Sequence, residues 1–171
     1  VFVGDSITEG SIGSSYIDAL YRLGDPWNHT QVNLINSGMN GDSMHHFYEE
    51  DLRVEQRIMQ YDPSYVYIFL GIADLMYLDA DQFQKEYTWM VETILSLNES
   101  NSGSLKDIYC IQFSWASSLF PSEYILAETY LQIIGDISIQ NNLKTIELWE
   151  YTKLHFDYLM DHAHLSDLGA E

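Results

Sequence analysis

The sequence predicts an α/β domain built on a parallel sheet with helices on both faces. Five short runs of apolar, β-branched or aromatic residues recur along the chain, at residues 1–4, 32–36, 65–70, 107–113 and 144–148. Helical patterns lie between these runs, and strands that alternate with helices are typical of a parallel sheet. Most of the runs are nearly continuous in apolar character, as expected for strands covered on both faces.

Four helices are predicted between the strands. They lie at residues 14–23, from Asp42 or Ser43 to about residue 61, at 81–97 and at 121–141. Gly24 ends the first and Pro63 halts the second, because neither residue continues a helix well. Asp79 or Asp81 can cap the third, and Pro121 suits the first turn of the fourth. The 171 residues suit one domain with a single core.

The charge of the chain restricts its partners. Twenty-six acidic residues stand against seven basic ones, which gives a formal charge of -19. Phosphate backbones and anionic membranes are repelled by such a chain, so we expect no nucleic acid partner and favour a neutral or cationic substrate. No stretch is long and apolar enough to suggest a membrane span. The single cysteine, Cys110, lies in an apolar run and is predicted to be a buried structural thiol.

The two ends of the sequence suggest a single domain, residues 1–171, trimmed on both sides. Val1 already lies inside a predicted strand, and Glu171 follows the start of a helical pattern. No signal peptide is visible. The compartment and the oligomeric state stay open on this reading.

Two motifs near opposite ends of the chain carry nucleophilic chemistry. Ser6 follows the first strand in Gly4-Asp5-Ser6, where glycine lets the backbone turn and expose the hydroxyl. A serine hydroxyl is a weak nucleophile until a base takes its proton, and His164 is the candidate base. Asp161 could accept a hydrogen bond from the other ring nitrogen and fix the tautomer. Ligands bind at the carboxyl ends of parallel strands, which is where these segments lie.

With two further blocks, the chain resembles the SGNH hydrolase superfamily, also called GDSL esterases and lipases. Gly4-Asp5-Ser6 matches its first block, and residues 36–43 (Asn-Ser-Gly-Met-Asn-Gly-Asp-Ser) match the second. Residues 71–74 (Gly-Ile-Ala-Asp) fall where the family has Gly-x-Asn-Asp. Residues 161–166 match the last block, including the Leu-Ser that often follows the histidine. The blocks occur in the family's order and cover nearly the whole chain.

The resemblance implies a flavodoxin-like three-layer α/β/α sandwich with a five-stranded parallel sheet. It also implies hydrolysis of an acyl ester or thioester through an acyl-serine, with the triad Ser6, Asp161 and His164. The family's oxyanion hole has three donors, and two of them correspond here to the backbone N–H groups of Ser6 and Gly41. Gly38 is then a turn glycine. No cofactor and no metal are implied.

The third oxyanion donor is missing. Ala73 occupies the position of the family's asparagine, and a methyl group cannot donate a hydrogen bond. Four explanations stay open: a naturally weak hydrolase, a domain that has become a binding module, a substitute donor such as Asn40 or a water, and a deliberate inactivating substitution. Loss of one donor typically reduces turnover about 100- to 1,000-fold.

Other side chains are candidates for the surroundings of the site. Asp5, Asn40 and Trp115 are predicted to line the substrate site because they follow strands on the ligand side. His45 and His46 lie four residues before Glu49 and Glu50, a spacing that could hold a metal. We interpret these four residues instead as an exposed helix face with pairwise contacts.

The first hypothesis is therefore a small-molecule serine esterase, acting for example on an acetyl group of a carbohydrate. The second is a catalytically impaired binding or regulatory domain on the same fold, and Ala73 motivates it. A third is an unrelated α/β domain whose motifs agree by chance.

Overall fold

Five parallel strands form one sheet in the computed structural model, which describes residues 1–13, 15–23, 32–50, 52–101, 103–114, 119, 121–155, 157, 159, 164 and 166. The strands are β1 (Phe2–Gly4), β2 (Asn36–Gly38), β3 (Tyr65–Phe69), β4 (Asp107–Ile111) and β5 (Lys144–Ile146). They are arranged in the order β2-β1-β3-β4-β5. The predicted fold class, an α/β fold with a five-stranded parallel sheet, is confirmed.

Helices connect the strands. Those in the described residues are α1 (Ser6–Glu9), α2 (Tyr16–Leu23), α3 (Met44–Glu49), α4 (Arg53–Arg57), α5 (Ala80–Ser100), α6 (Pro121–Gln140) and α7 (Trp149–Leu154). Short 3₁₀ turns add Met59–Tyr61 and Ala73–Met76. The order of the strands places β1 between β2 and β3, so the loops after these three strands are neighbours at one edge of the sheet.

The two faces of the sheet are covered differently. On one face the rings of Phe2 and Tyr67 stack with centroids 4.4 Å apart, and Tyr16 of α2 contacts the ring of Phe2 edge-on. On the other face Ile68 and Cys110 are paired in register and fully buried. The prediction of a buried Cys110 is confirmed, and burial raises the pKa of its thiol.

The predicted position of the second strand was wrong. The strand lies at Asn36–Gly38, whereas the apolar run at 32–36 suggested an earlier start. Val32 is exposed, and the ladder with β1 is made by polar residues of an edge strand. The Asn36 side-chain amide donates to the carbonyl of Thr8 at 2.9 Å, so side-chain contacts to α1 fix a segment that has little apolar character.

The long second helix predicted to reach residue 61 is broken into α3, α4 and a 3₁₀ turn. Helix α3 ends at two acidic residues, Glu49 and Glu50, where negative charge opposes the dipole at the end of the helix. The break also redirects the chain so that Arg53 reaches Asp42, and tertiary contacts override the local helical pattern. Helices α2, α5 and α6 agree with their predicted positions within a few residues, whereas α1 and α7 were not predicted.

Candidate active site

Ser6 begins α1, directly after β1. Asp5 caps this helix, because its carboxylate accepts the backbone N–H of Ile7 at 2.9 Å. Gly10, with φ of 77°, ends the helix after one turn. A Cβ at Gly4 would lie 2.0 Å from the Thr8 hydroxyl oxygen, so only glycine lets α1 fold back onto the strand end. The sequence therefore places the Ser6 hydroxyl at the carboxyl edge of the sheet.

The structure brings Ser6 and His164 together. Ser6 Oγ lies 2.8 Å from His164 Nε2, although 158 residues separate them in the chain. This is the distance of a hydrogen bond between a hydroxyl and an imidazole nitrogen. The contact allows His164 to accept the Ser6 proton when Nε2 is unprotonated. Asp161 and Trp115, two further predicted site residues, lie outside the described residues.

The loop after β2 carries Gly41 close to the end of β1. The backbone N–H of Met39 donates to the carbonyl of Gly4 at 3.0 Å, which ties the loop to the strand that leads to Ser6. Gly41 has φ of 71° and is exposed, and a Cβ there would meet nothing within 4 Å. Gly38 differs, because a Cβ there would lie 2.2 Å from the backbone nitrogen of Glu9. Gly38 thus permits close packing, while Gly41 faces open space.

Ala73 begins the 3₁₀ turn after β3, and its half-buried side chain offers no polar atom. The next residue, Asp74, is fully buried. Its carboxylate accepts the backbone N–H groups of Met44 at 3.0 Å and His45 at 3.2 Å. Burial raises the pKa of Asp74 to about 6, although these two hydrogen bonds and His45 oppose the shift. Asp74 therefore fastens the turn after β3, which contains Ala73, to the start of α3.

Asp5 and Asn40 lie in different surroundings. Asp5 is 3% exposed, and its carboxylate points back to its own helix rather than to solvent. Burial raises the pKa of Asp5 to about 7, against the hydrogen bond from Ile7 and the nearby His164. This burial favours a role in holding Ser6 over contact with substrate. Asn40 is exposed in the turn beside Gly41, where its amide is accessible.

His45 and His46 make pairwise contacts, and one of them reaches further than the sequence indicates. His45 Nε2 lies 3.4 Å from Glu49, as the helical spacing predicts, but its Nδ1 lies 2.9 Å from the buried Glu86 of α5. The hydrogen bond to Glu86 raises the pKa of His45. His46 lies 3.5 Å from Asp42 rather than beside Glu50. The described part of the chain contains no group of three or more metal-binding side chains.

Sequence reasoning missed the polar groups behind the site. Asp42, in the loop that carries Gly41, forms ion pairs with Arg53 and Arg57 of α4. The available signal was the rarity of cations in this chain, since two of its three arginines lie four residues apart shortly after Gly41.

Within the described ranges, no helix is long and apolar enough to cross a membrane.

Comparison with known proteins concerns the family and the fold of the chain. The sequence profile of the GDSL-like Lipase/Acylhydrolase family matches residues 2–171. No curated protein matches the sequence.

Several solved structures share the fold. The crystal structure of the acetyl xylan esterase AlAXEase is 23% identical with a TM-score of 0.78, over 99% of this chain and 94% of that one. The lipase/acylhydrolase from Enterococcus faecalis is 21% identical with a TM-score of 0.80, over 99% and 88%. A variant of Axe2, an acetyl xylan esterase from Geobacillus stearothermophilus, is 18% identical with a TM-score of 0.75, over 99% and 87%. At these identities the similarity concerns the fold.

Proposed function

Because this chain belongs to the GDSL-like lipase/acylhydrolase family, we propose that it is a serine esterase that hydrolyses an acyl ester through an acyl-serine. The observation that carries the proposal is the 2.8 Å contact between Ser6 Oγ and His164 Nε2. A nucleophile and a base within hydrogen-bond distance are the minimal pair for this reaction.

In the first half of the reaction, His164 accepts the proton of the Ser6 hydroxyl as Oγ attacks the carbonyl carbon of the ester. The carbonyl oxygen becomes an oxyanion, which the backbone N–H groups of Ser6 and Gly41 stabilise. His164 then gives the proton to the departing alkoxide, the carbon–oxygen bond breaks, and the alcohol leaves. Asp161 accepts a hydrogen bond from the other ring nitrogen of His164 and keeps the imidazole oriented.

In the second half, a water molecule replaces the alcohol. His164 takes one proton from this water, and the resulting hydroxide attacks the acyl carbon. His164 then returns the proton to Ser6 Oγ as the acyl–enzyme bond breaks. The products are the carboxylic acid and the free enzyme. All steps use side chains and backbone groups of this chain and one water molecule.

Ala73 lowers the expected rate. A missing oxyanion donor costs about 3–4 kcal/mol of transition-state stabilisation, and the remaining donors and the triad still act. Asn40 is a candidate for the third oxyanion donor, because its side chain is exposed and it directly precedes Gly41 in the chain. Replacement of Asn40 by alanine tests this role: a further fall in kcat with unchanged KM assigns the third donor to Asn40, and an unchanged kcat removes Asn40 from the site.

The substrate class that we propose is a small acyl group, such as acetyl on a carbohydrate. Two of the structures that share the fold are described as acetyl xylan esterases, which supports this choice by analogy. The strong negative charge also favours a neutral ester over an anionic one.

The test uses the full-length protein, p-nitrophenyl acetate, acetylated xylo-oligosaccharides and a fluorophosphonate probe. We expect the probe to label Ser6 and the acetyl esters to be hydrolysed, with both activities lost in Ser6→Ala. Folded protein that neither reacts with the probe nor hydrolyses any ester contradicts the proposal. That result favours the second candidate function, an impaired binding domain, which the absence of a donor at Ala73 supports.

A further inference from the structure

The buried carboxylate of Asp42 is held on both of its oxygens. Arg53 Nη1 donates to Oδ1 at 2.9 Å, and Arg57 Nη1 donates to Oδ2. Asp42 immediately follows Gly41 in the chain. Because each oxygen receives a charged hydrogen bond, the carboxylate cannot rotate without breaking one of them. We call Asp42, Arg53 and Arg57 the arginine clamp.

The clamp is anchored to the sheet. Arg57 Nη2 donates to the backbone carbonyl of Ser37 in β2, and the Ser37 hydroxyl donates back to the carbonyl of Arg57 at 2.8 Å. Both guanidinium groups lie 5.3 Å from the centre of the Phe47 ring in α3, within the range of a cation–π contact. The clamp therefore connects the loop after β2 to the strand before it and to the helices that follow.

The clamp places two of the few cations of this chain in a largely buried position, which costs free energy of solvation. The chain has seven lysines and arginines, and two of these cations share this one carboxylate. Their side chains are only 12% and 15% exposed, and that of Asp42 is 1% exposed. Removing such charges from water costs free energy that can exceed their attraction, so a buried ion pair is a poor source of net stability. A geometric role explains the arrangement better.

Gly41 is the group that needs such support. A side chain built at Gly41 would meet no atom within 4 Å, so no packing against that side fixes the direction of its peptide groups. The turn that contains it is closed by the backbone N–H of Asp42, which donates to the carbonyl of Met39 at 3.0 Å. The orientation of Gly41 therefore depends on Asp42, whose carboxylate is held by the two arginines and also accepts the Ser43 N–H at 3.2 Å.

We propose that Arg53 and Arg57 are positioning residues for the oxyanion hole, which hold the Gly41 N–H toward the developing oxyanion through Asp42. The inference rests on the proposed function, in which Gly41 is one of two remaining donors. In this proposal both arginines act through Asp42, to which their guanidinium groups donate. Because Ala73 leaves the hole one donor short, the direction of the Gly41 N–H carries a larger share of the stabilisation.

The test compares Arg57→Lys and Arg53→Lys with Arg22→Lys, the matched control at an exposed arginine in the last turn of α2. Lysine keeps the charge but loses the planar fork that holds the carboxylate. The readouts are kcat and KM for p-nitrophenyl acetate and the affinity for a trifluoromethyl ketone, which forms an oxyanion on the serine. For the clamp variants we expect kcat/KM and ketone affinity to fall together by about tenfold or more, with KM little changed.

Active-site titration with the fluorophosphonate normalises each rate to folded, reactive enzyme. If Arg57→Lys does not fold, Arg53→Lys and the isosteric Asp42→Asn carry the same comparison. Folded clamp variants whose normalised kcat/KM and ketone affinity equal those of the wild type overturn the proposal. A loss that the titration accounts for entirely also overturns it. Failure of the proposed function is distinct, because the wild-type protein itself then shows neither labelling nor turnover.

Discussion

The Asp74 carboxylate accepts the backbone N–H of Met44 at 3.0 Å, across 30 residues of sequence. Its second oxygen accepts the next amide of α3 at 3.2 Å. The segment that contains Ala73 is thereby fastened to the helix that follows Gly41. Two separate loops, one with Ala73 and the other with Gly41, are therefore linked through one buried side chain.

Asp74→Asn is expected to lower the free energy of unfolding by about 1–3 kcal/mol. An amide has one acceptor oxygen where the carboxylate has two, so one of the two helix amides loses its partner inside the protein. The matched control is Asp79→Asn at the cap of α5, where Asp79 accepts a single backbone N–H from Gln82 and asparagine caps equally well. Urea unfolding checks both variants. Equal stabilities for Asp74→Asn and the wild type contradict this role.

Ala73→Asn is expected to raise kcat/KM by about tenfold or more, because one oxyanion donor contributes about 3–4 kcal/mol when it is well placed. The gain appears in kcat, since the donor acts on the transition state more than on the bound ester. Ala73→Leu is the control for altered packing without a donor. An unchanged rate in Ala73→Asn, with the fold intact, shows that the absent amide does not limit activity.

Gly38→Ala and Gly41→Ala are expected to act on different properties. A Cβ at Gly38 would overlap the backbone nitrogen of Glu9, so Gly38→Ala lowers stability. Gly41→Ala has room for its methyl group but is strained at φ of 71° by about 1–2 kcal/mol. Because relief of this strain turns the Gly41 N–H, the variant loses kcat while it stays folded. Thermal unfolding together with ester kinetics separates the two effects, and a Gly41→Ala enzyme of normal kcat contradicts the assigned donor.

Asp5 makes stability depend on pH. Burial raises its pKa to about 7 from 3.8, so the folded state favours the protonated carboxyl. The stabilisation is fully present below the unfolded pKa near 4 and is lost as the pH rises to about 7, by up to about 4 kcal/mol at ~1.4 kcal/mol per unit.

Asp5→Asn is therefore expected to flatten the decline in stability between pH 4 and pH 8. Asparagine keeps an oxygen for the Ile7 amide but does not ionise. Asp74, whose pKa is raised to about 6, leaves a residual decline of the same sign. The control is Asp18→Asn at an exposed acid of α2. Urea unfolding at several pH values gives the comparison, and parallel curves for Asp5→Asn and the wild type refute the assignment.

The sequence predicted the parts of the fold that depend on local apolar pattern. β3 and β4 begin at the predicted residues, because their runs are mostly apolar or aromatic and alternate residues on one face are fully buried. β2 was misplaced, because an edge strand made of Asn36, Ser37 and Gly38 carries no apolar signal. Helix α1 was missed, because four residues are too few to show a helical period.

The site was predictable where two sequence motifs act as a pair, as those of Ser6 and His164 do. The Ser6–His164 contact follows from two motifs and the rule that strand ends converge. The contacts of Asp42 with Arg53 and Arg57, and that of His45 with Glu86, were not predictable. Nothing in their spacing specifies which of 26 acids each cation meets, since that choice depends on how α3, α4 and α5 pack.

Ala73 lies between residues that maintain the architecture without it. Gly71 turns the chain with φ of 137°, and Asp74 fastens the turn to α3, while residue 73 itself supports neither task. The two features that fix this turn therefore do not depend on the side chain of residue 73. An exchange between an amide and a methyl group at residue 73 leaves the turn at Gly71 and the contacts of Asp74 in place. Under the proposed function, the rate of turnover can therefore change through residue 73 while the contacts that maintain the fold stay the same.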